Sequence, residues 1–435
     1  MKFKNIFKGF FALSPVVVLL IVYLFGSMIA GDFYKIPITA AFLLASVYAI
    51  SVTRGHTLSD RINLFSAGAA SSQVMLMVWI FILAGSFAAI AKAMGSVDAT
   101  VAVTLQLIPE NYLPVGIFIA SCFISMAIGT SVGTIVALTP VVTALAGQIG
   151  CDIAWIVAIV VGGSFFGDNL SFISDTTIAA TQTQGCSMRD KFRTNFLLVF
   201  PAAIVSLLIY LFSGKELTIT GNTPVTMVEC VKVIPYIIVV VTALAGINVL
   251  LVLLIGIFAS VIIGLATDAF GIIDIFTYAG SGITSMGDLI IVTMLAGGLL
   301  ELVRINGGMN FLIRILTFGV RSKRAAEFSI AMLTVFSNIC TANNTVAILS
   351  SGAMARNIAS KFGIAPRRSA SIMDTSSCFV QGLLPYGAQL LMASGLAAVS
   401  PLEIIPNLYY PLFIGIMVVF SILADYPRCR EKRKK

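Results

Sequence analysis

The sequence predicts an all-α polytopic membrane protein made of two inverted-topology repeats, with broken helices and re-entrant hairpins among about 10–13 membrane segments. Three observations predict it. Of 435 residues, 58% are hydrophobic and only 11% are charged, a balance that no soluble globular class has. Sparse residue matches recur between the two halves at a near-constant offset. The charge of corresponding loops changes sign from one half to the other, which opposite insertion into a bilayer requires.

The apolar runs follow one another with little between them. Phe10–Ala30 is long enough to span, too long for a signal-peptide core, and ends at the Gly31-Asp32 loop. Ile36–Val52 is a second span, followed by a polar, amphipathic segment Arg54–Ser72 that contains His56, Asp60 and Arg61. Gln73–Met94 runs to a break at Gly95-Ser96, and a shorter run ends at the turn Pro109-Glu110-Asn111. Tyr112–Gly147 is interrupted near Gly129–Thr134 and at Pro140. A loop through Asp152 leads to the most unusual stretch of the chain, Gly162–Thr177, and then to a basic cluster at Arg189, Lys191 and Arg193. Phe196–Phe212 is a span. The expected organisation is a first half over 1–213, a polar link over 214–232, a second half over 233–427 and a basic cytoplasmic tail over 428–435.

The repeat is visible in particular residues. Leu83, Ala84, Gly85 and Gly95 recur as Leu295, Ala296, Gly297 and Gly307, 212 positions later, and Lys92 meets Arg304. Thr130, Thr134, Leu138, Ala144 and Ile153 recur as Thr341, Thr345, Leu349, Ala355 and Ile364 at an offset of 211. Loop charge gives an independent test. The Arg54–Ser72 segment is basic and its partner around Asp268–Asp288 acidic; the Glu110 loop has no positive charge and its partner carries Arg321, Lys323 and Arg324. Asp152 corresponds to a region with Lys361, Arg367 and Arg368, and the Arg189–Arg193 cluster to one whose charge is Glu403. The positive-inside rule then puts both termini in the cytoplasm of a multi-pass protein of the cell (plasma or inner) membrane. Inverted repeats place solute sites near the midplane, where broken helices meet.

Gly162–Thr177 puts two carboxylates, an amide and several hydroxyls inside an apolar run, where each Asp costs roughly 2.5–3.5 kcal/mol at a helix centre. Its glycines and hydroxyls predict an interrupted helix, tolerated at membrane depth only where protein or a watery cavity surrounds it. Asp168, Asn169, Ser171, Ser174, Asp175 and Thr176 are the candidate ion- and proton-binding groups. Carboxylate, amide and hydroxyl oxygens suit a hard cation, so Asp168 and Asp175 are the candidate sodium ligands. Desolvation also favours the neutral carboxyl, so one group can hold either a cation or a proton. Gly129, Thr130 and Gly133 mark a second backbone break, and Pro385 marks one in the second half. There Asn343, Asn344, Thr345, Asp374 and Ser376 are the candidate partners. Plainer readings stand beside these: interhelical hydrogen bonds for the hydroxyls and asparagines, an ion pair of Asp374 with Arg367 or Arg368, a mutual bridge for Glu301 and Arg304 at i, i+3, and a surface position for His56.

Seven scattered cysteines form neither a zinc nor a disulfide pattern, one histidine excludes paired-His metal motifs, and no Walker A sequence is present. No enzyme chemistry and no cofactor are expected. The basic residues lie in loops and tails, so nucleic acid is not an expected partner; the lipid bilayer and a small cation or small-molecule substrate are, with a homodimer left open.

Gly129-Thr130-Ser131 with Gly133-Thr134, together with Gly162-Gly163-Ser164-Phe165-Phe166-Gly167-Asp168-Asn169, Ser171 and Ser174-Asp175-Thr176-Thr177, resembles the NhaC-type Na⁺/H⁺ antiporters of the wider ion-transporter superfamily. Lys191, Phe192 and Asn195 fit the same pattern, and Gly363–Pro366 with Asp374 fit it more loosely, so the resemblance covers nearly the whole chain. It implies exchange of a monovalent cation for protons. The alternative is a Na⁺- or H⁺-coupled exchanger of organic acids, of the malate/lactate type, or of amino acids.

Overall fold

The computed structural model describes residues 3–25, 37–107, 109–172, 174–213, 226–245, 247–317 and 320–427. The Gly31-Asp32 loop, most of the interhalf link and the basic tail lie outside these residues. Among the described residues every regular element is helical. In the first half these are α1 (Phe3–Leu20, continued by a π turn to Phe25), α2 (Ile38–Val52), α3 (Leu58–Ala69), α4 (Ser72–Ala93), α5 (Ser96–Leu107), α6 (Leu113–Ile128), α7 (Ser131–Ile149), α8 (Ile153–Leu170), α9 (Asp175–Gln184) and α10 (Met188–Ser213). In the second they are α11 (Met227–Leu244), α12 (Val249–Ala266), α13 (Ile272–Ser285), α14 (Gly287–Ile305), α15 (Gly308–Thr317), α16 (Lys323–Thr341), α17 (Asn344–Lys361), α18 (Pro366–Gln381), α19 (Ala388–Ala397) and α20 (Tyr409–Ala424).

The chain is polytopic by length and apolarity. Five described stretches qualify as spans, among them Val74–Ala93, Met188–Ser213 and Val249–Ala266. Two bent pairs qualify together: α13 with α14, bent by 43°, and α19 with the turns at Pro401–Asn407, bent by 103°. Large apolar side chains such as Phe123, Phe212, Phe258 and Ile262 point outward, as a hydrocarbon surround allows. The amphipathic segment forms α3, mostly exposed and started by a capping box between Thr57 and Asp60.

The offset of 211 seen in the sequence is an offset of helices. α6 to α9 recur as α16 to α19, with boundaries displaced by about two residues at most. Contacts between the halves are reciprocal: α9 packs on α17, and its counterpart α19 packs on α7. α3 packs on α14, and α13 on α4. Such exchange of partners is what a two-fold relation between equivalent units produces.

Several local expectations need correction. α8 runs unbroken through Gly162, Gly163 and Gly167, and the interruption comes afterwards, at Ser171–Ser174. Gly163 and Gly167 serve close packing instead: a Cβ on Gly163 would lie 2.6 Å from Ser121 Cβ and 2.8 Å from the Phe118 carbonyl. Gly129 takes a left-handed φ of 76° and ends α6, and Thr130 is extended. Gly133, expected to share that break, lies inside α7. α7 also continues through Pro140. Residues 227–232 of the expected link are the first turns of α11, because Val228, Val231 and Val233 supply the apolar side chains that a helix can bury or expose to lipid.

Candidate ion-binding site

Four interruptions bring the polar residues together: α6/α7 at Gly129–Thr130, α8/α9 at Ser171–Ser174, α16/α17 at Ala342–Asn343 and α18/α19 at Gly382–Gly387. Each frees backbone groups that a continuous helix would satisfy internally. The α18/α19 break contains Pro385, as expected from its missing N–H.

Asp168, four per cent exposed near the end of α8, accepts a hydrogen bond from the backbone N–H of Ser131 at 3.1 Å. Thr130, the N-cap of α7, makes no side-chain cap bond. Asp168 therefore caps α7 from a neighbouring helix, with its carboxylate at the positive end of the α7 dipole. Ser174 Oγ approaches the same carboxylate oxygen at 3.4 Å and lies 3.0 Å from Thr176 Oγ1. Ser171, Ser174 and Thr176 are all buried. Asp175 is exposed on the first turn of α9; one helical position separates it from the buried face that Thr176 and Thr177 occupy.

The α8 C-terminus is treated in the opposite sense. The Asn169 carbonyl accepts from Lys191 Nζ and from Asn195 Nδ2, each at 2.9 Å. Lys191 is one per cent exposed and forms an ion pair of 2.7 Å with Asp374, which is fully buried on α18. Lys191 also donates to Thr177 Oγ1 at 2.7 Å, and Asn195 donates to Asp374 at 2.6 Å. Asn169 Nδ2 donates to the Tyr410 hydroxyl at 2.9 Å. A cation at a helix C-terminus is favoured by the dipole, and here the same ammonium neutralises a carboxylate from the other half.

The expected partners of Asp374, Arg367 and Arg368, do not reach it. Arg368 is buried instead against Glu327 on α16, at 3.0 Å, and donates to Ser421 Oγ and to the Ser421 and Tyr426 carbonyls. Arg368, the third residue of α18, faces α20, and Asp374, the ninth, faces the centre. The basic neighbours of Lys191 predict a loop, yet Lys191 lies in the first turn of a long helix, and Lys191, Thr194 and Asn195 share its buried face. That i, i+3, i+4 spacing was the signal available in the sequence.

The remaining second-half candidates separate into two groups. Asn343 is half-buried and caps its own helix, accepting from Val346 N at 3.0 Å. Asn344 and Ser376 are buried, and Asn344 Nδ2 and Ser376 Oγ have no hydrogen-bond partner among the described residues. Thr345, next to Asn344 in the chain, is half-buried. Asn169 Oδ1, Asn195 Oδ1, Asp374 Oδ1 and Gln381 Oε1 are likewise buried without partners. Each such group calls for a partner, which a water or an ion can supply. Gln381 and Gln389, neither of them among the expected site residues, connect the breaks: Gln389 Nε2 donates to Ser131 Oγ at 3.0 Å, and Gln381 Nε2 donates to Gln389 Oε1 at 2.8 Å. Glu301 and Arg304 do pair, at 2.6 Å, and His56 is exposed. Among the described residues no cluster of three or more His, Cys, Asp or Glu side chains forms a resident metal centre.

The NhaC antiporter of Bacillus subtilis is 21% identical over 76% of this chain and 80% of its own length. The NhaC antiporter of Alkalihalophilus pseudofirmus is 22% identical over 90% of this chain and 89% of its own. A malate-2H⁺/Na⁺-lactate antiporter of Bacillus subtilis is 23% identical over only 42% of this chain and 41% of its own length. A family model described as the Na⁺/H⁺ antiporter family matches residues 6–215 and 217–424. With both halves so matched, the chain belongs to the Na⁺/H⁺ antiporter family, whose members are transporters rather than enzymes.

Proposed function

We propose that this antiporter exchanges Na⁺ for H⁺ at Asp168. One observation carries the reading. Two carboxylates are buried where the breaks meet, and Lys191 neutralises Asp374, whereas among the described residues no lysine or arginine pairs with Asp168. An isolated carboxylate in such surroundings demands a neutralising partner. H⁺ and Na⁺ are alternative partners for one group, so occupancy by either excludes the other, and that exclusion is antiport.

The role of each neighbour follows from its position. The α7 N-terminus holds the Asp168 carboxylate in place through Ser131 N–H. Ser171, Ser174 and Thr176 offer hydroxyl oxygens to the ion, and Asn344, Thr345 and Ser376 supply polar groups from the second half. Asn343 acts as a cap that shapes the α17 start. Asp175, exposed beside the break, stands outside the neutralised pocket. Na⁺ here is cargo, and the chain's own groups carry the exchange without a cofactor. The halves 1–213 and 233–427 form the repeats, and one repeat-derived unit moves against a scaffold around this midplane site. Both termini lie in the cytoplasm of a plasma or inner membrane, as loop charge directs.

The test uses inverted vesicles, acid inside, with a pH-reporting dye. Added Na⁺ dissipates the gradient for the native chain and not for Asp168→Asn. Dissipation by malate or lactate and not by Na⁺ would transfer the site to an organic-acid exchanger.

A further inference from the structure

A cavity of 330 Å³ lies between α4, α14 and the α16/α17 break, lined among others by Glu301, Arg304, Thr341, Ala342, Asn343 and Tyr386. Its outer end carries the Glu301–Arg304 pair, with Arg304 largely exposed. Its inner end is the broken backbone at Ala342–Asn343. Loop charge puts the Arg304 end on the cytoplasmic side. The cavity does not touch Asp168. The connection runs through two amides that flank the α18/α19 break.

Gln381 ends α18 and Gln389 lies in the first turn of α19. Gln381 Nε2 donates to the Ala342 carbonyl, which lines the cavity, at 3.1 Å, and to Gln389 Oε1 at 2.8 Å. Gln389 Nε2 donates to Ser131 Oγ at 3.0 Å, and Ser131 N–H donates to Asp168. A continuous polar chain thus joins the cavity floor to the buried carboxylate. The Ala342 carbonyl, which can only accept, sets which side of the Gln381 amide is nitrogen. The opposite atom, Gln381 Oε1, is buried and has no partner, on a side chain one per cent exposed. Space for this amide is kept by Gly387, where a Cβ would come within 2.9 Å of Gln381 Nε2.

We propose that Gln381 and Gln389 form a neutral transit site for a dehydrated monovalent cation between this cavity and Asp168. Gln381 Oε1 is the open oxygen, and Gln389 Oε1 and the Ala342 carbonyl join it when Gln381 Nε2 turns away, together replacing water that a hard cation sheds. Because they carry no charge, they bind the ion weakly enough to pass it on to the carboxylate. The proposal rests on the antiport reading above and adds the route by which the cation arrives.

The test uses the full chain, reconstituted in liposomes, with Cys340→Ser to remove the native cavity thiol. Gln381→Leu and Gln389→Leu are expected to raise the KM for Na⁺ about tenfold while kcat changes by less than about threefold, because a binding step is lost and not the exchange step. In a second measurement, Thr341→Cys is alkylated by a cationic, membrane-impermeant thiol reagent. Saturating Na⁺ is expected to slow the reaction about tenfold with both glutamines intact, and not in Gln381→Leu. If the parent exchanges Na⁺ for H⁺ but Na⁺ leaves Thr341→Cys unprotected, the transit site is refuted, whatever the leucine variants do. Parental KM and parental protection in the leucine variants refute it equally. If the parent shows no Na⁺-driven exchange, the antiport reading itself fails.

Discussion

Removing the buried ammonium of Lys191 is the sharpest test of how the site is held together. In Lys191→Met, Asp374 keeps its bond from Asn195 and loses its counter-ion, while its second oxygen already lacks a partner. The Asn169 carbonyl and Thr177 Oγ1 also lose a donor. Breaking a fully buried pair costs roughly 3–5 kcal/mol, because the surviving charge is left uncompensated. The screening that reduces surface bridges is absent, with both side chains at most one per cent exposed. Removing the partner as well, in Lys191→Met with Asp374→Leu, exchanges the pair for apolar groups of similar size, and most of the loss is expected to return. Reversible unfolding of the four proteins in detergent, followed by tryptophan fluorescence, gives the double-mutant cycle. We expect a coupling of at least about 3 kcal/mol. Additivity within about 0.5 kcal/mol would refute the claim that Lys191 serves as the resident counter-charge of Asp374.

Three further predictions use the same geometry. Asp175→Asn, at an exposed position, is expected to leave Na⁺/H⁺ exchange within about threefold of native in the vesicle assay, in contrast to Asp168→Asn; loss of exchange would restore Asp175 to the site. Glu327→Gln keeps one amide acceptor for the Arg368 guanidinium but removes its counter-charge and turns an NH2 group toward it, and should destabilise by about 3 kcal/mol. The KM for Na⁺ of the folded fraction should stay native, which flux in purified, reconstituted protein measures. Gly163→Ala places a methyl group against Ser121 and the Phe118 carbonyl, so α6 and α8 must separate, at a cost of about 1–3 kcal/mol in the same unfolding assay. An unchanged midpoint would show that this helix crossing is looser than described.

Much of the architecture was legible before any coordinates. Apolar run length follows from bilayer thickness, and the sign of loop charge follows from insertion, so both leave marks in the linear chain. The offset between the halves survived translation into helices because a repeated fold repeats its element lengths. The hydroxyl and amide content around Asp168 and Asn343 marked the right neighbourhoods for the breaks. The details were displaced: Gly162, Gly163 and Gly133 proved helical, since a glycine that enables close helix packing and one that ends a helix look alike in sequence. Gly129 could be told apart only by its positive φ.

By itself, the sequence determined that this is a polytopic helical protein with polar breaks at membrane depth and a carboxylate among them, because those properties depend on local composition and period. Tertiary structure alone decided which carboxylate stands unpaired. Lys191 and Asp374 are 183 residues apart, and Gln389 and Ser131 are 258 apart. No periodicity encodes such partnerships; they arise when helices of opposite halves pack against each other. That choice gives Lys191 to Asp374 and Arg368 to Glu327, and it leaves Asp168 facing a helix N-terminus with no cation among the described residues.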